Sequence, residues 1–229
     1  SIAPSGCSVG TKQGFSIIKY TGNGSAATIP HGLSQTPTFI IKKFVGGTSN
    51  WDVWTPFLSA NKRMTLNTTD AESATTSYQS VNTSTFDVHA GNNDDTVEMI
   101  AYLWHDVPGL QKFGQYTGNS NADGVYVELG FKPAILLIKN DNSTGDWIIW
   151  DNKRNPTNPV NKQIWPYTTS GTYGTYDQVA SNYPLDFLSN GFKMRTTDAD
   201  MNDSGRTYIY AAWAEAPSVN LFGGGANAR

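Results

Sequence analysis

The three histidines are the first residues to test for catalysis or metal binding. They are His31, His89 and His105, and none lies in the second half of the chain. No two have the H-x-x-x-H spacing, and a single cysteine, Cys7, excludes a C-x-x-C pair, so neither common zinc pattern is present. The letters G-x-S-x-G occur once, as "GCSVG" at Gly6–Gly10, but in a lead-in segment and not between a strand and a helix, so no nucleophile elbow is predicted. The sequence predicts no catalytic residues, no metal site and no cofactor, with a Ser-His-Asp triad of distant residues as the open alternative.

Two carboxylates occupy matching positions near the ends of two similar segments. Asp106 in "HDVP" and Glu215 in "AEAP" each lie just before a proline. Glycosidases use two acids that flank one scissile bond. Because these two acids lie at equivalent places in separate copies of a motif, we expect each to cap its repeat or to join the repeats. We do not expect them to share a catalytic cleft.

The segment "DADMNDSG" is the one place where acidic residues have a calcium-like spacing. Asp198, Asp200 and Asn202 occupy alternate positions, as in the first half of an EF-hand loop. The twelfth position is Ile209, so the closing carboxylate is missing. We expect an acidic hairpin turn here, and a weakly held calcium ion near Asp198 is the alternative.

Four tryptophans form two pairs with the same spacing. Trp51 and Trp54 are three residues apart, as are Trp147 and Trp150. In a β-strand this spacing points the two side chains of a pair to opposite faces. We therefore expect one member of each pair to be buried and the other to be free to stack on a sugar ring, a lipid or a neighbouring chain.

The segment "YTTSGTYGTYDQVASNY", residues 167–183, falls in extra length of the second half of the chain. Its mixture of Tyr, Ser and Gly is typical of adaptable binding loops. Tyr173 and Tyr176 therefore join the four tryptophans as candidate ligand-binding residues. The alternative is that these tyrosines pack onto their own domain.

These candidates are positioned by a tandem repeat. The letters "YTGN" occur at Tyr20–Asn23 and again at Tyr116–Asn119. The same shift of 96 positions carries Pro37 onto Pro133, Lys43 onto Lys139, Trp51 onto Trp147 and Trp54 onto Trp150. Further along, "STFDVHA" matches "NGFKMRT" with a shift of 106, and "IAYLWHDVP" matches "IYAAWAEAP" with a shift of 109. Self-similarity of this kind indicates that one structural plan is used twice.

Each copy is a series of short apolar stretches separated by polar turns, and no apolar 3.6-residue period persists. We therefore predict an all-β protein of two tandem β-sandwich, jelly-roll-like repeats. The predicted boundaries are a linker at 1–13, repeat one at 14–108, repeat two at 109–217 and a Gly-rich tail at 218–229. In the strand Thr38–Phe44, Phe39 and Ile41 should face one side and Ile40 and Lys42 the other.

Composition excludes several partners. Charged residues make up 15% of the chain and the net charge is −3, so no basic patch is available for a phosphate backbone, and we predict no nucleic-acid binding. The longest apolar runs, such as "AILLI", are too short to span a bilayer, and we predict no membrane insertion. With one cysteine, Cys7, the chain has no internal disulfide, and we expect an inert thiol in the lead-in segment.

Several stretches resemble a known family. "KFGQYTGN", "FLSNGFKMR" and "YIYAAWAEAP", together with "GFSIIKYTGNG", "WIIWDNKRNP" and the terminal "ANAR", are similar to a two-repeat family of virion or tail-fibre proteins encoded by tailed bacteriophages, notably marine cyanophages. The resemblance covers residues 14–229 and brings no catalytic residues. The chain departs from the commonest form of the family in "HDVPG" and in the stretch "SVNLFGGG".

The resemblance implies a phage virion structural protein without enzymatic activity. We expect a tail-fibre or tail-appendage component that contributes to host attachment, located in the virion and probing a host-surface glycan. Its partners would be other virion proteins and further copies of itself, a homotrimer being the hypothesis. A capsid decoration protein without a host ligand is the alternative, and a glycan-degrading tail-spike enzyme is the less favoured one.

Overall fold

The computed structural model describes residues 1–166, 178–179 and 183–216. These residues form eighteen β-strands, one turn of 3-10 helix at Ala90–Asn92 and no α-helix, so the predicted all-β fold is confirmed. Nor do they include a helix with the length and apolar character that a bilayer crossing requires. The candidates Tyr173 and Tyr176 and the predicted tail at 218–229 lie outside the described residues.

The chain divides into two compact units. Unit 1 consists of Ser1–Leu66 and Glu72–Asp106. Unit 2 consists of the described residues from Val107 onward together with the short segment Asn67–Ala71. The segment Asn67–Ala71 therefore belongs to unit 2, although its neighbours in sequence belong to unit 1.

Unit 1 is a sandwich of a seven-stranded sheet and a two-stranded sheet. Its strands are β1 (Gly6–Gly10), β2 (Phe15–Thr21), β3 (Ala27–Pro30), β4 (Phe39–Phe44), β5 (Trp51–Trp54), β6 (Lys62–Thr65), β7 (Ser73–Ala74), β8 (Thr85–Val88) and β9 (Glu98–Trp104). The large sheet has the order β1-β2-β9-β4-β5-β6-β7, and β3 pairs with β8. Apolar residues of both sheets, such as Ile18, Ile40 and Phe86, form the buried core of this unit.

Unit 2 is built in the same way from a six-stranded sheet and a three-stranded sheet. Its strands are β10 (Gln111–Thr117), β11 (Tyr126–Glu128), β12 (Pro133–Asn140), β13 (Ile148–Asp151), β14 (Lys162–Ile164), β15 (Gln178–Val179), β16 (Leu185–Leu188), β17 (Gly191–Met194) and β18 (Thr207–Ala214). The large sheet has the order β10-β18-β12-β13-β14-β15 and the small one the order β11-β17-β16. The core between them includes Leu136, Phe192 and Tyr208.

The two units share one strand order and one register. The order β2-β9-β4-β5-β6-β7 of unit 1 corresponds strand for strand to β10-β18-β12-β13-β14-β15 of unit 2. Ile40 lies opposite Trp54 in unit 1, and Leu136 lies opposite Trp150 in unit 2, so the shift of 96 holds at the level of strand pairing. Residues at equivalent positions can therefore be compared directly.

The N-terminal segment differs from the prediction. Residues 1–13 were expected to be a linker, but Gly6–Gly10 forms β1, which pairs antiparallel with β2 along its whole length. The backbone N–H of Ile2 also donates to the carbonyl oxygen of Thr28 at 2.9 Å. Backbone hydrogen bonds to β2 order this segment although most of its side chains are exposed. Cys7 is exposed on this strand.

The repeated "YTGN" letters have a structural explanation. Tyr20 and Tyr116 are buried in the two cores. A side chain at Gly22 would overlap the backbone oxygen of Asp94, and one at the equivalent Gly118 would overlap the backbone oxygen of Asp203. Glycine is required at both positions because two backbone segments meet there without room for a Cβ atom.

Candidate functional site

The inner face of the large sheet of unit 1 ends in a polar cavity of about 150 Å³, which we call the unit 1 cleft. Its walls come from β4, β5, β6, β9 and the 3-10 turn. It is lined by Lys42, Phe44, Ser49, Asn50, Asp52, Arg63, Gly91, Asn92, Asp94 and Met99. Most of these side chains carry hydrogen-bonding groups, so the cleft is suited to a polar ligand.

Lys42 and Asp52 form the floor of the cleft. They lie opposite each other on β4 and β5, on the same face as the core residue Ile40, and the Lys42 Nζ is 3.7 Å from the Asp52 Oδ2. Their side chains are only 4% and 9% exposed. Lys42 Nζ also donates to the carbonyl oxygen of Asn92, and an Nη atom of Arg63 pairs with Asp52. The carboxylate of Asp52 is thus held between two cations.

Burial lowers the pKa of the Lys42 ammonium to about 8, while the negative charge of Asp52 opposes that shift. Desolvation disfavours a charged amine, and a carboxylate beside it favours the charge. At neutral pH most molecules therefore carry a charged Lys42 ammonium in this buried pair with Asp52. Such a pair is costly to bury and contributes little net stability, so its presence suggests another purpose.

Two tyrosine hydroxyls near this pair are unused. Tyr20 and Tyr78 are buried, and neither hydroxyl has a hydrogen-bond partner among the described residues. Burial and the nearby charge of Asp52 raise the pKa of both groups. Buried hydroxyls are usually satisfied. The polar capacity at this end of unit 1 therefore exceeds what the fold itself uses.

In unit 2 the residue equivalent to Tyr20 is Tyr116, and its hydroxyl does have a hydrogen-bond partner. Tyr116 donates its hydroxyl to the carbonyl oxygen of Met201 at 2.7 Å. Moving back by 109 positions, the shift that relates β9 to β18, Met201 corresponds to Asn92, whose carbonyl oxygen accepts from Lys42 instead. In unit 1 a lysine has taken over the acceptor that the tyrosine uses in unit 2.

The same replacement extends over the whole floor of the cleft. Polar residues of unit 1 correspond to apolar residues of unit 2 as follows: Lys42 to Ile138, Asp52 to Ile148 and Asn92 to Met201. All three apolar residues are at most 1% exposed and belong to the core of unit 2. The sandwich therefore closes without polar groups at this place, and the unit 1 cleft is a feature that the fold does not require.

A second cavity of about 300 Å³, which we call the side cavity, adjoins the cleft. It is lined by Arg63, Ala74, Thr75, Thr76, Gly91 and Asn92. Arg63, Gly91 and Asn92 line both cavities. The two cavities therefore lie side by side along the β6–β7 edge of the sheet.

The predicted tryptophan pairs are placed differently in the two units. Trp51 and Trp54 are partly buried, and Trp54 stacks on Tyr78 with ring centroids 6.0 Å apart. Trp147 and Trp150 are 1% and 0% exposed. The expectation that one member of each pair would be free to stack on a ligand is therefore wrong for Trp147 and Trp150, because both indoles are enclosed by protein.

None of the histidines lies in the cleft. His31 is completely buried: its Nδ1 accepts from the N–H of Leu33 at 3.1 Å, and its Nε2 lies 3.0 Å from the carbonyl oxygen of Asn82. These contacts fix a neutral imidazole with its proton on Nε2. His31 therefore has a structural role, because it joins the backbone at Leu33 to the backbone at Asn82.

The carboxylates singled out in the sequence make contacts within their own units. Asp106 accepts from the hydroxyl of Thr38 at 3.3 Å, and Glu215 accepts from the amide of Asn152 at 3.1 Å. The side chain of Asn202 is a hydrogen-bond donor to Asn119, so it is not arranged as a metal ligand. Within the described ranges, no group of three or more His, Cys, Asp or Glu residues is arranged to hold a metal ion.

The residues of the cleft floor were not among the sequence candidates. Lys42 was predicted to share a face with Ile40, and the register confirms this. The signal was present in the repeat: at shifts of 96 and 109, inward positions that are apolar in one copy are charged or amide in the other. Such an exchange marks a site that packing does not explain.

Comparison with known proteins gives a family without an assigned function. No curated protein and no solved structure matches the chain. Residues 1–217 match the model of a family described as "Domain of unknown function (DUF7483)". The chain therefore belongs to the DUF7483 family.

Proposed function

We propose that this protein is a component of a phage virion appendage that attaches to saccharides on the host surface through the unit 1 cleft. The observation that carries the proposal is the replacement of Ile138 and Ile148 of unit 2 by Lys42 and Asp52 at the same inner positions of unit 1. Virion location and attachment come from the family resemblance of the sequence. The ligand class comes from the chemistry of the cleft.

The groups of the cleft suit a sugar. Carboxylate and amide side chains, here Asp52, Asp94, Asn50 and Asn92, bind vicinal hydroxyls by accepting and donating hydrogen bonds in the same plane. Phe44 adds an apolar wall for the C–H face of a sugar ring. Ligand sites combine a few placed polar groups with such a wall. The small volume limits the occupant to a single sugar unit.

The buried ion pair prepares the site for binding. Asp52 is held by Lys42 on one side and by Arg63 on the other, so its oxygens keep one orientation before a ligand arrives. A preorganised acceptor does not lose side-chain freedom on binding. The carboxylate oxygens of Asp52 can accept hydrogen bonds from the hydroxyl groups of a sugar. We propose binding without cleavage.

A small site of this kind binds weakly, and an appendage can compensate for the low affinity by displaying several copies of the site. Several copies displayed together convert weak contacts into effective attachment, because each binding event raises the effective concentration for the next. The trimer inferred from the resemblance would present three clefts. A mass of three chains in light scattering would agree with this arrangement, and a single-chain mass would argue against it.

The first experiment is binding of the full chain to an array of defined neutral and acidic oligosaccharides and to lipopolysaccharide from cyanobacteria, followed by titration calorimetry. Asn50→Ala removes an exposed amide of the cleft and should weaken binding at least about fivefold, the effect of about one hydrogen bond. Asn142→Ala, which changes an exposed amide of unit 2, is the matched control and should bind like the wild type.

A second variant tests the carrying observation. Lys42→Ile with Asp52→Ile copies the inner residues of unit 2 and should fold but lose saccharide binding. Equal binding by this double variant, or no binding of any saccharide by the wild type, would refute the proposal. Release of reducing sugar from the bound glycans would show instead that the site is catalytic.

A further inference from the structure

The side cavity differs from the cleft in its charge. The described residues that line it include one cation, Arg63, and no carboxylate, whereas Asp52 and Asp94 balance the cations of the cleft. Its remaining polar groups are the hydroxyls of Thr75 and Thr76 and the amide of Asn92. Donors and a positive charge therefore predominate in the side cavity.

Arg63 connects the two cavities. It lies on β6, its side chain is 28% exposed, and Asp52 engages one of its terminal nitrogens. A guanidinium carries five N–H donors. Its other donors have no acceptor among the described residues, and Arg63 lines both cavities. A planar guanidinium with free donors is the side chain that best recognises a carboxylate or a similar oxyanion.

The neighbouring threonines favour the same kind of group. The hydroxyl oxygen of Thr75 accepts from the N–H of Ser77 at 3.1 Å, which leaves the hydroxyl hydrogen free to donate. Thr76 is exposed. Hydroxyl donors beside a guanidinium complete the shell of hydrogen bonds that an oxyanion accepts.

We propose that the side cavity binds the anionic substituent of an acidic saccharide, a carboxylate or a sulfate, carried by the sugar next to the one in the cleft. This inference rests on the proposed function and adds the ligand class: a glycan of at least two sugars, one of them acidic. The shared lining by Arg63, Gly91 and Asn92 places the two subsites within reach of adjacent sugar units.

The test uses pairs of short uronic-acid oligosaccharides that differ only by a free carboxylate or its methyl ester. Wild-type protein should bind the acid about tenfold more tightly than the ester, as expected for a charge-assisted hydrogen bond. Thr76→Glu supplies a competing carboxylate next to Arg63 and should reduce the ratio of acid to ester affinity to near one. Thr76→Gln, its neutral match, should keep the preference. Raised salt should also reduce the ratio.

The outcomes separate this inference from the proposed function. Equal binding of acid and ester by the wild type, with binding still lost in Asn50→Ala, would overturn the acidic subsite and leave the saccharide site in place. An acid preference that persists in Thr76→Glu would also overturn it, because the anion would then bind elsewhere. Failure of every acid and every ester to bind, with neutral saccharides still bound, would overturn the acidic subsite alone, whereas failure of every saccharide to bind would refute both proposals.

Discussion

The side-chain amide of Asn202 donates a hydrogen bond to Oδ1 of Asn119 at 3.0 Å, across 83 positions of the chain. Asn202 is completely buried, and its amide also reaches the carbonyl oxygens of Asn121 and Thr196 at 2.9 and 2.7 Å. Unit 1 repeats the contact, since Asn93 donates to Oδ1 of Asn23 at 2.8 Å. One asparagine pair thus fastens the first turn of each repeat to the turn before its last strand.

Removal of the Asn202 amide should destabilise unit 2. Asn202→Ala leaves several buried acceptors without a donor, and we expect a loss of about 2–4 kcal/mol in the free energy of unfolding. Urea unfolding followed by tryptophan fluorescence measures it. The matched control Asn142→Ala changes an exposed amide and should stay within about 0.5 kcal/mol. A loss below about 1 kcal/mol in Asn202→Ala would mean that this pair does not anchor the turn.

A methyl group at Gly118 should also be poorly tolerated. Gly118→Ala would drive the new Cβ into the backbone oxygen of Asp203, and backbone cannot move aside as a flexible side chain can. We expect roughly 1–3 kcal/mol of destabilisation or more. Gly91→Ala is the control, because an added Cβ there meets no atom within 4 Å. Equal melting temperatures for the two variants would contradict the close approach at Gly118.

The ion pair of the cleft should show strong coupling in a double-mutant cycle. Asp52→Ile alone leaves a buried ammonium with a lost partner and should cost about 3–5 kcal/mol, and Lys42→Ile alone should cost a similar amount. The double variant, which copies Ile148 and Ile138 of unit 2, should be near the stability of the wild type or above it. The measurement is urea unfolding of all four proteins. Additive losses would show that the pair is not coupled.

His31 should make the protein less stable in mild acid. Burial lowers its pKa below the ordinary value of about 6.5, and the hydrogen bond to Asn82 only partly opposes this. Because the folded pKa is the lower one, the unfolded chain binds the proton first as the pH falls below about 6.5, and stability decreases. His31→Asn should lose this part of the pH dependence. An NMR titration of the wild type gives a direct check, and a midpoint at or above about 6.5 would contradict it.

The tandem repeat and the all-β class could be predicted because both follow from regularly spaced residues in the sequence. The shift from Trp51 to Trp147 and the short apolar stretches establish both. β1 could not be predicted, since its order comes from backbone bonds to β2 and not from its own side chains. The burial of both Trp147 and Trp150 could not be predicted either. The alternation of side chains along a strand shows which face a residue lies on, but the packing of other elements over that face decides how exposed it is.

The cleft could not be predicted from individual sequence motifs. Lys42, Asp52 and Asn92 are separated along the chain, and none belongs to a recognised pattern. Only the fold brings them together, through the pairing of β4 with β5 and the 3-10 turn at Ala90–Asn92. A comparison of the inward positions of the two repeats identifies all three, because each corresponds to an apolar residue of unit 2.

Tyr116 of unit 2 and Lys42 of unit 1 donate to backbone carbonyl oxygens at equivalent positions, those of Met201 and Asn92, and this equivalence has a consequence for engineering. Since both units present this backbone carbonyl in the same frame, Lys, Asp and Asn in place of Ile138, Ile148 and Met201 should transplant the recognition chemistry into unit 2. A chain so altered would be bivalent, and its gain in avidity over the natural chain would report how much of the binding these three side chains carry.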